Sequence, residues 1–235
     1  MAMCNQFTDE VLKGDGFSLT PLHLGDIEDI TSACRDEITQ QWLPLPRPYT
    51  PDVARAFIEE IAPAMHSSGA GLVRRIEVAE RLCGVIDLKQ TDWKALETEI
   101  GYWVAPWARG RGLAGRASRV LSKWALGDQN MARVVIKCAT GNTASQKAAL
   151  SAGFVNEALA RSAGIIHAGR VDLAVFSRIL STSTLRSRTL RSQGNEQSSA
   201  HAGDPRDHEV SHSAAIGRVQ DSAYRQVTRR SARMR

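Results

Sequence analysis

The sequence predicts an α/β (α+β) domain, in which a mixed, mostly antiparallel central sheet is flanked by helices, followed by a disordered C-terminal tail. Strand and helix patterns alternate in the order β-α-α-β-β-β-α-β-α-β-β, which is typical of a mixed sheet domain. The chain of 235 residues has room for one well-formed core. The periodicity stops after Ser181, where Ser, Arg and Gln dominate. We therefore predict one domain at 14–181 and the tail at 182–235.

The first half of the domain is predicted to begin with one strand and two helices. The strand is expected at 17–21. Apolar residues then recur at helical spacing over 26–36, where the first residue is an aspartate that can cap the helix. The stretch 41–48 contains three prolines and should not be helical. Thr50-Pro51-Asp52 combines a cap, a proline at the first helical position and an early acid, so the second helix should run from there to about residue 66.

Three strands are predicted next. Only Ala79-Glu80 separates the strands at 71–78 and 81–88, which is typical of a tight hairpin. The third strand is expected at 97–104.

Helices and strands alternate in the second half of the domain. We predict a helix at 113–126, a short buried strand at 133–139 and a helix at 143–152, which a glycine ends. The last two strands are expected at 154–160 and 170–176.

The net charge of +5 is concentrated in the predicted tail. Of the 30 basic and 25 acidic residues, ten Arg and five acids lie at 182–235, which leaves 20 of each in the rest of the chain. The sequence pI of 9.3 therefore does not indicate a nucleic-acid-binding fold. The tail itself stays open to two interpretations: an extension that binds RNA or acidic surfaces, and an inert one.

The four cysteines form neither a metal pattern nor a disulfide pattern. None has C-x-x-C spacing, so we predict no metal site, and they are too sparse for a disulfide framework. The sequence has no apolar leader and no run of 18 apolar residues, so we predict neither a signal peptide nor a membrane span. We expect a cytoplasmic protein, and its oligomeric state stays open between monomer and homodimer.

The most informative segment is the Arg- and Gly-rich loop that joins the strand at 97–104 to the helix after it. A helix N-terminus presents unpaired N–H groups and the positive end of the helix dipole, so it can bind phosphate. Gly110 and Gly112 allow a close backbone approach to a pyrophosphate, and Arg109 and Arg111 add positive charge. The alternative is a solvated surface turn.

This loop matches neither of two common phosphate-binding motifs. It is not a P-loop, because no Gly-Lys-Ser or Gly-Lys-Thr follows. Gly110, Gly112 and Gly115 have G-x-G-x-x-G spacing, but the preceding strand is antiparallel in character and the later acidic residue of a dinucleotide-binding motif is missing.

Three segments in order resemble the GNAT acetyltransferases. Arg109-Gly110-Arg111-Gly112-Leu113-Ala114 resembles the family's CoA-binding signature, and Asn142, Ser145 and Gly153-Phe154 have the spacing of its later helix. Glu99-Ile100-Gly101-Tyr102-Trp103-Val104 resembles the strand of one branch, the ribosomal-protein alanine and serine N-terminal acetyltransferases, and so does Trp42-Leu43-Pro44. The resemblance covers about residues 15–180. It implies the GNAT fold and transfer of an acetyl group from acetyl-CoA to a primary amine.

The resemblance also implies which residues bind acetyl-CoA. Val104 would place its backbone amide near the thioester carbonyl, and Asn142 would hydrogen-bond the pantetheine arm, although a turn-capping role for Asn142 is an alternative. The pyrophosphate would be bound by Arg109, Gly110, Arg111, Gly112, Leu113 and Ala114.

Acetyl transfer requires a base for the amine, donors for the oxyanion and a proton for the leaving thiolate. By the resemblance, Glu99 is the expected base, directly or through water, and Glu97 shares its face by parity and is the backup. Ser145 is the expected acid by resemblance to the ribosomal-protein branch, and the tyrosine that many GNAT proteins use as acid is replaced here by Ala149. The alternatives are solvated strand charges for the glutamates and a surface or pantetheine-contacting serine.

The acceptor site is the least defined part. Trp42 and Tyr49 are candidates for its walls, and packing anchors are the alternative. Asp87 is a candidate contact for a cationic acceptor, with an exposed strand acid as the alternative. The expected acceptor is a protein N-terminal amine or a small-molecule amine. The alternative function is a CoA-binding sensor or scaffold with little or no catalysis.

Overall fold

The computed structural model describes residues 5–180 and places eight strands and six α-helices in that range. The strands are β1 (Leu12–Gly14), β2 (Phe17–Thr20), β3 (Leu72–Val78), β4 (Arg81–Asp92), β5 (Glu97–Val104), β6 (Arg133–Ala139), β7 (Val155–Ile166) and β8 (Gly169–Ile179). The helices are α1 (Ile27–Arg35), α2 (Glu37–Trp42), α3 (Pro51–Ala56), α4 (Ala62–Ser67), α5 (Leu113–Gly127) and α6 (Thr143–Ser151). Within the described range, no helix is long and apolar enough to cross a membrane. The predicted tail at 182–235 lies outside the described residues.

All eight strands form one sheet in the order β1-β2-β3-β4-β5-β6-β8-β7. Neighbouring strands are antiparallel except for β5 and β6, which are parallel. A parallel pair needs a long crossover connection, and the connection here contains α5. The predicted mixed, mostly antiparallel sheet with flanking helices is confirmed.

Helices cover both faces of the sheet. On one face, which we call the α1 face, α1, α3 and α4 pack on Val73 and Val85. On the other face, which we call the α5 face, α5 packs on Ile86, Leu88 and Ile100. Because successive side chains of a strand point to opposite faces, β4 contributes to both cores.

Local sequence signals identify several element boundaries correctly. Ala79 and Glu80 form the predicted hairpin turn with φ angles of 47° and 64°, as a two-residue turn with left-handed residues requires. The Thr50 hydroxyl accepts the Val53 amide at 3.4 Å and caps α3. The helix predicted to reach residue 66 is present, but a π-helical segment at Phe57–Ile61 separates α3 from α4.

Two predictions around the first helix were wrong. Asp26 does not cap α1 with its side chain, because its carboxylate accepts the His23 amide at 2.9 Å and pairs with buried Arg75 at 2.8 Å. Gln41 and Trp42 are not irregular but end α2, since the prolines begin only two residues later.

Candidate functional site

The pairing between β5 and β6 ends halfway along both strands. The two strands pair at three positions, the last being Glu99 opposite Val135. Beyond it, β5 continues to Val104 beside β4, and β6 continues to Ala139 beside β8. A gap therefore opens between the two strand ends, and we call it the β5–β6 cleft. The loop before α5 follows one wall of the cleft, and the start of α6 follows the other.

Backbone amides of β5 face this cleft. The Ala105 amide donates to Cys83 O of β4 at 2.9 Å. In an antiparallel pair, successive residues direct their N–H and C=O groups to alternate sides. The N–H groups of Val104 and Tyr102 therefore point away from β4 and into the β5–β6 cleft. Such amides can stabilise negative charge on a carbonyl oxygen.

The loop before α5 exposes the N-terminus of that helix. Gly110 and Gly112 adopt φ angles of 79° and 65°, a left-handed conformation that favours glycine. Gly112 is the N-cap residue, and no side chain in the described part of the chain caps this end. A Cβ at either glycine would meet open space, so a ligand can approach the backbone. The first helical residues, Leu113 and Ala114, complete this exposed helix terminus, and such a terminus can bind an anion.

Arg109 anchors the loop to the helical layer on the α1 face. Its guanidinium donates to Asp36 Oδ2 at 2.5 Å, to Thr39 Oγ1 at 2.8 Å and to Val104 O at 3.3 Å. The hydrogen bond from Arg109 lowers the pKa of Asp36 below its usual value. The positive charge expected beside the pyrophosphate is thus shared with Asp36, and the observed contact of Arg109 is with the protein itself.

Arg111 lines a cavity of about 340 Å³ beside the start of α5. Leu113, Arg116 and Cys83 also line this cavity. Asp15 lines the same cavity, so two arginines and one carboxylate leave this region net positive, and Arg111 can contact an anion near the loop.

The start of α6 brings a serine and a tyrosine together. Asn142 Oδ1 accepts the Ser145 amide at 3.0 Å and caps the helix. The Ser145 hydroxyl lies 2.9 Å from the Tyr102 hydroxyl, which also donates to Ser145 O at 3.1 Å. Burial raises the pKa of Tyr102 to about 12, so its hydroxyl remains protonated at neutral pH.

Tyr102 is a candidate functional residue that the sequence did not predict. Strand parity alone assigns it to the face opposite Glu99, together with Ile100 and Val104. What parity cannot show is that α6 lies over that face and presents Ser145 to the phenol, because the contact joins residues 43 positions apart.

The predicted bases differ in their surroundings. Glu99 is almost fully buried, and its two oxygens pair with Lys89 at 3.3 Å and with Lys137 at 2.9 Å. Glu97 lies at the closed end of the β5–β6 cleft, where Arg133 pairs with it at 2.8 Å. Both carboxylates are therefore engaged by cations.

The two predicted wall residues lie in different places. Trp42 ends α2, and its ring lies 3.2 Å from the position that a Cβ on Gly141 would take, next to the α6 cap. Tyr49 is only 2% exposed and packs in the core on the α1 face. Burial there raises the pKa of the Cys34 thiol to about 12, and a hydrogen bond from Tyr49 opposes this rise. The structure corrects the assignment of Tyr49 as a pocket wall, because its ring is enclosed by apolar side chains.

The comparisons with known proteins agree with this arrangement. Residues 17–155 match the family model described as acetyltransferase (GNAT) domain. The chain is 34% identical over 96 residues to the putative ribosomal N-acetyltransferase YdaF of Bacillus subtilis (strain 168), an alignment that covers 41% of this chain and 52% of YdaF. It is 28% identical over 116 residues to the ribosomal-protein-serine acetyltransferase of Escherichia coli (strain K12), with coverage of 49% and 65%. The chain thus spans between half and two thirds of the length of these relatives.

A solved structure shows the same fold. The microcin C7 self immunity acetyltransferase MccE, in complex with acetyl-CoA and AMP, superposes with a TM-score of 0.65 at 23% identity, and the alignment covers 71% of this chain and 93% of that one. The family match extends over more than half of the sequence and includes β2 to α6, the loop before α5 and the β5–β6 cleft. The chain belongs to the GNAT acetyltransferase family.

Proposed function

We propose that this protein transfers the acetyl group of acetyl-CoA to a primary amine, and that its acceptor is a protein N-terminus. One observation carries the proposal: the uncapped N-terminus of α5 lies at the end of β5, the strand whose free amides line the β5–β6 cleft. This arrangement can hold a pyrophosphate at one end and a thioester at the other.

The described residues fit acetyl-CoA along this path. The amides from Gly110 to Ala114 would receive the pyrophosphate, with Arg111 adding charge and Arg109 holding the loop in place. The pantetheine arm would run between β5 and β6, past the amide of Val104 and the side chain of Asn142. The amides of Tyr102 and Val104 both face the thioester region and are candidate oxyanion donors.

The chemistry proposed is direct attack on the thioester. An ammonium loses a proton to a carboxylate on the α1 face, and the neutral amine attacks the carbonyl carbon. The C–S bond then breaks, and the thiolate takes a proton from Ser145, whose hydroxyl contacts that of Tyr102 at 2.9 Å. Ser145 regains a proton from solvent and the carboxylate releases the one that it took up, so both groups are regenerated. The thiol and the amide are the products.

The names of the relatives support a protein N-terminus as acceptor. Both curated relatives carry ribosomal acetyltransferase names. Trp42, beside Gly141, is a candidate wall of the acceptor site. A panel of peptides beginning with Ser, Ala or another residue, together with polyamines and aminoglycosides, tests this choice by mass spectrometry. Acetylation of small amines alone would reject the N-terminal acceptor.

The cofactor site is tested by acetyl-CoA calorimetry on the parent, Gly112→Glu and Gly112→Ala. Both variants place a side chain at φ 65°, so they share the backbone strain, but only glutamate brings an anion to the helix N-terminus. We expect Gly112→Glu to lose at least about tenfold more affinity than Gly112→Ala, because like charges repel at this site. Equal losses would show that the loop is a surface turn. Binding without turnover on every amine would favour a CoA sensor.

A further inference from the structure

Glu99, the expected base, lies between two lysines. Its two oxygens pair with Lys89 Nζ at 3.3 Å and with Lys137 Nζ at 2.9 Å. Because each oxygen of Glu99 already contacts an ammonium group, an acceptor amine would have to displace a lysine to reach it. A second carboxylate, that of Asp87, lies on the same face of the sheet.

Asp87 lies next to Lys89 and Glu99 and is partly exposed. It is opposite Gly101 in the β4–β5 pair, and its Oδ1 accepts the Gly101 amide at 3.0 Å. No ion pair within 4.0 Å joins Asp87 to a cation in the part of the chain that the structure describes. The carboxylate of Asp87 is therefore in no direct ion pair with a described lysine.

Gly101 creates the space that Asp87 occupies. A Cβ at Gly101 would lie 2.7 Å from Asp87 Oδ1 and 2.9 Å from Lys89 Nζ, which is too close for either atom to stay. The missing side chain thus lets one carboxylate and one ammonium lie over the backbone of β5. The next residue, Tyr102, directs its amide into the β5–β6 cleft, so this niche adjoins the reacting end of the cleft.

We propose that Asp87, and not Glu99, is the general base that removes the proton from the acceptor amine. This inference rests on the proposed function. In the step, an N–H bond of the ammonium breaks and an O–H bond forms on Asp87, while the nitrogen lone pair attacks the thioester carbonyl. Asp87 releases the proton to solvent after the amide has formed, so the carboxylate is regenerated.

The charges around Asp87 suit this role. Burial raises the pKa of Asp87 above its usual value, the charge of Lys89 opposes this, and that of Glu99 adds to it. A base whose pKa approaches the working pH is more effective than an ordinary aspartate. Lys89 comes from the same strand and Glu99 from β5, while β3 presents the apolar Val73 directly opposite Asp87. Lys137 of β6 acts on Glu99 instead.

The test compares Asp87→Asn with Glu99→Gln in the full chain, using the peptide that the parent acetylates fastest. Asparagine is isosteric and can still accept the Gly101 amide, so the fold and acetyl-CoA affinity should be retained. We expect kcat to fall by at least about 100-fold in Asp87→Asn and by less than about tenfold in Glu99→Gln. Exogenous formate should restore part of the turnover of Asp87→Ala, which a merely structural role would not produce.

The pH profile separates the two carboxylates. The acid-side decline of kcat should disappear in Asp87→Asn and move to lower pH in Glu99→Gln, because removal of the neighbouring anion lowers the pKa of Asp87. Lys137→Met is the matched control, since its ammonium contacts Glu99 only, and the decline should stay in place.

Two results would overturn the proposal in distinguishable ways. An acid-side decline that disappears in Glu99→Gln and shifts in Lys137→Met would make Glu99 the base, with the acetyltransferase function intact. A parent that binds acetyl-CoA but acetylates no amine would overturn the proposed function, and the role of Asp87 with it. If Asp87→Asn does not fold, the response of Lys137→Met and Glu99→Gln still decides between the carboxylates.

Discussion

Tyr102 and Ser145 form a hydroxyl pair whose members come from a strand and a helix on opposite sides of the cleft. Their oxygens lie 2.9 Å apart, and Ser145 also accepts the phenol through its carbonyl. Tyr102 thus fixes the rotamer of the serine proposed as acid. A serine hydroxyl is a weak acid by itself, so its position and its hydrogen-bond partner determine how readily it gives a proton to a thiolate.

Tyr102→Phe removes this hydroxyl and little else. We expect kcat to fall about tenfold, equivalent to one hydrogen bond of about 1.4 kcal/mol, with the KM for acetyl-CoA within about twofold of the parent. Steady-state kinetics with the best peptide measures both. Ser145→Ala is the comparison: if the two residues act as a unit, the double variant should be no slower than Ser145→Ala. Independent, multiplying losses would contradict the pairing.

The same hydroxyl makes stability depend on alkaline pH. The pKa of Tyr102 is raised by burial to about 12 in the folded state, whereas an unfolded tyrosine titrates near about 10. Between these values the unfolded chain has lost the proton and the folded one retains it, so stability falls as pH rises. Between about pH 10 and pH 12, the free energy of unfolding measured in urea should fall by about 2–3 kcal/mol more for the parent than for Tyr102→Phe. Parallel curves would show that the phenol is not desolvated.

Residues with a local signature were predictable at this scale, and residues defined by distant partners were not. Gly112 and Asn142 mark helix starts, which the sequence displays directly. The contact of Arg109 with Asp36 joins positions 73 apart, and the niche over Gly101 depends on the register of β4 and β5. Neither has a pattern in the linear chain.

Among the elements, α5 shows how one substitution can have opposite effects along a helix. A Cβ on Gly115 would lie 2.1 Å from Ser151 Oγ and 3.1 Å from Ala148 O of α6, whereas a Cβ on Gly127 would meet open space. Gly115 thus allows α5 and α6 to approach closely. The position of α6 sets that of Ser145, so the packing of α5 against α6 also determines where the proposed acid lies.

Gly115→Ala and Gly127→Ala form a matched pair. We expect Gly115→Ala to cost about 1–3 kcal/mol, because overpacking separates the helices. Gly127→Ala should stabilise the protein by about 0.5–1 kcal/mol, since alanine loses less backbone entropy in a helix. Thermal unfolding measures both changes. A stabilising effect at both positions would show that α6 moves away without cost.

Element prediction succeeded where turns and caps are local. The hairpin at Ala79-Glu80 and the start of α3 at Thr50 are examples. The missed elements, β1 and α2, are only three and six residues long, too short for periodicity to reveal. The π-helical segment at Phe57–Ile61 also lies inside an otherwise regular helical pattern.

In the whole molecule, the site results from the one parallel pair in an otherwise antiparallel sheet. Each of β5 and β6 is paired along its length with an antiparallel neighbour, β4 and β8 respectively. The two halves of the sheet share only the three pairs that end at Glu99, so they can separate beyond it. The cleft is thus a property of sheet topology, and the residues along its edges are the candidates for binding and catalysis.

The excess charge of the whole chain belongs to 182–235, which lie outside the described residues. Those positions hold ten Arg and five acids, and the rest of the chain is balanced. A protein shortened to residues 1–181 contains every strand and helix described here, so we expect its melting temperature and acetyl-CoA affinity to match those of the full chain. Its retention on a heparin column should fall sharply, because the electrostatic attraction to a polyanion depends on the number of cations. A full-length variant with the ten arginines replaced by glutamine is the control; removing ten positive charges from a net charge of +5 leaves −5, so it should elute no later than the shortened chain. A lower melting temperature or weaker acetyl-CoA binding in the shortened chain alone would show that 182–235 contributes to the domain by contact rather than by charge.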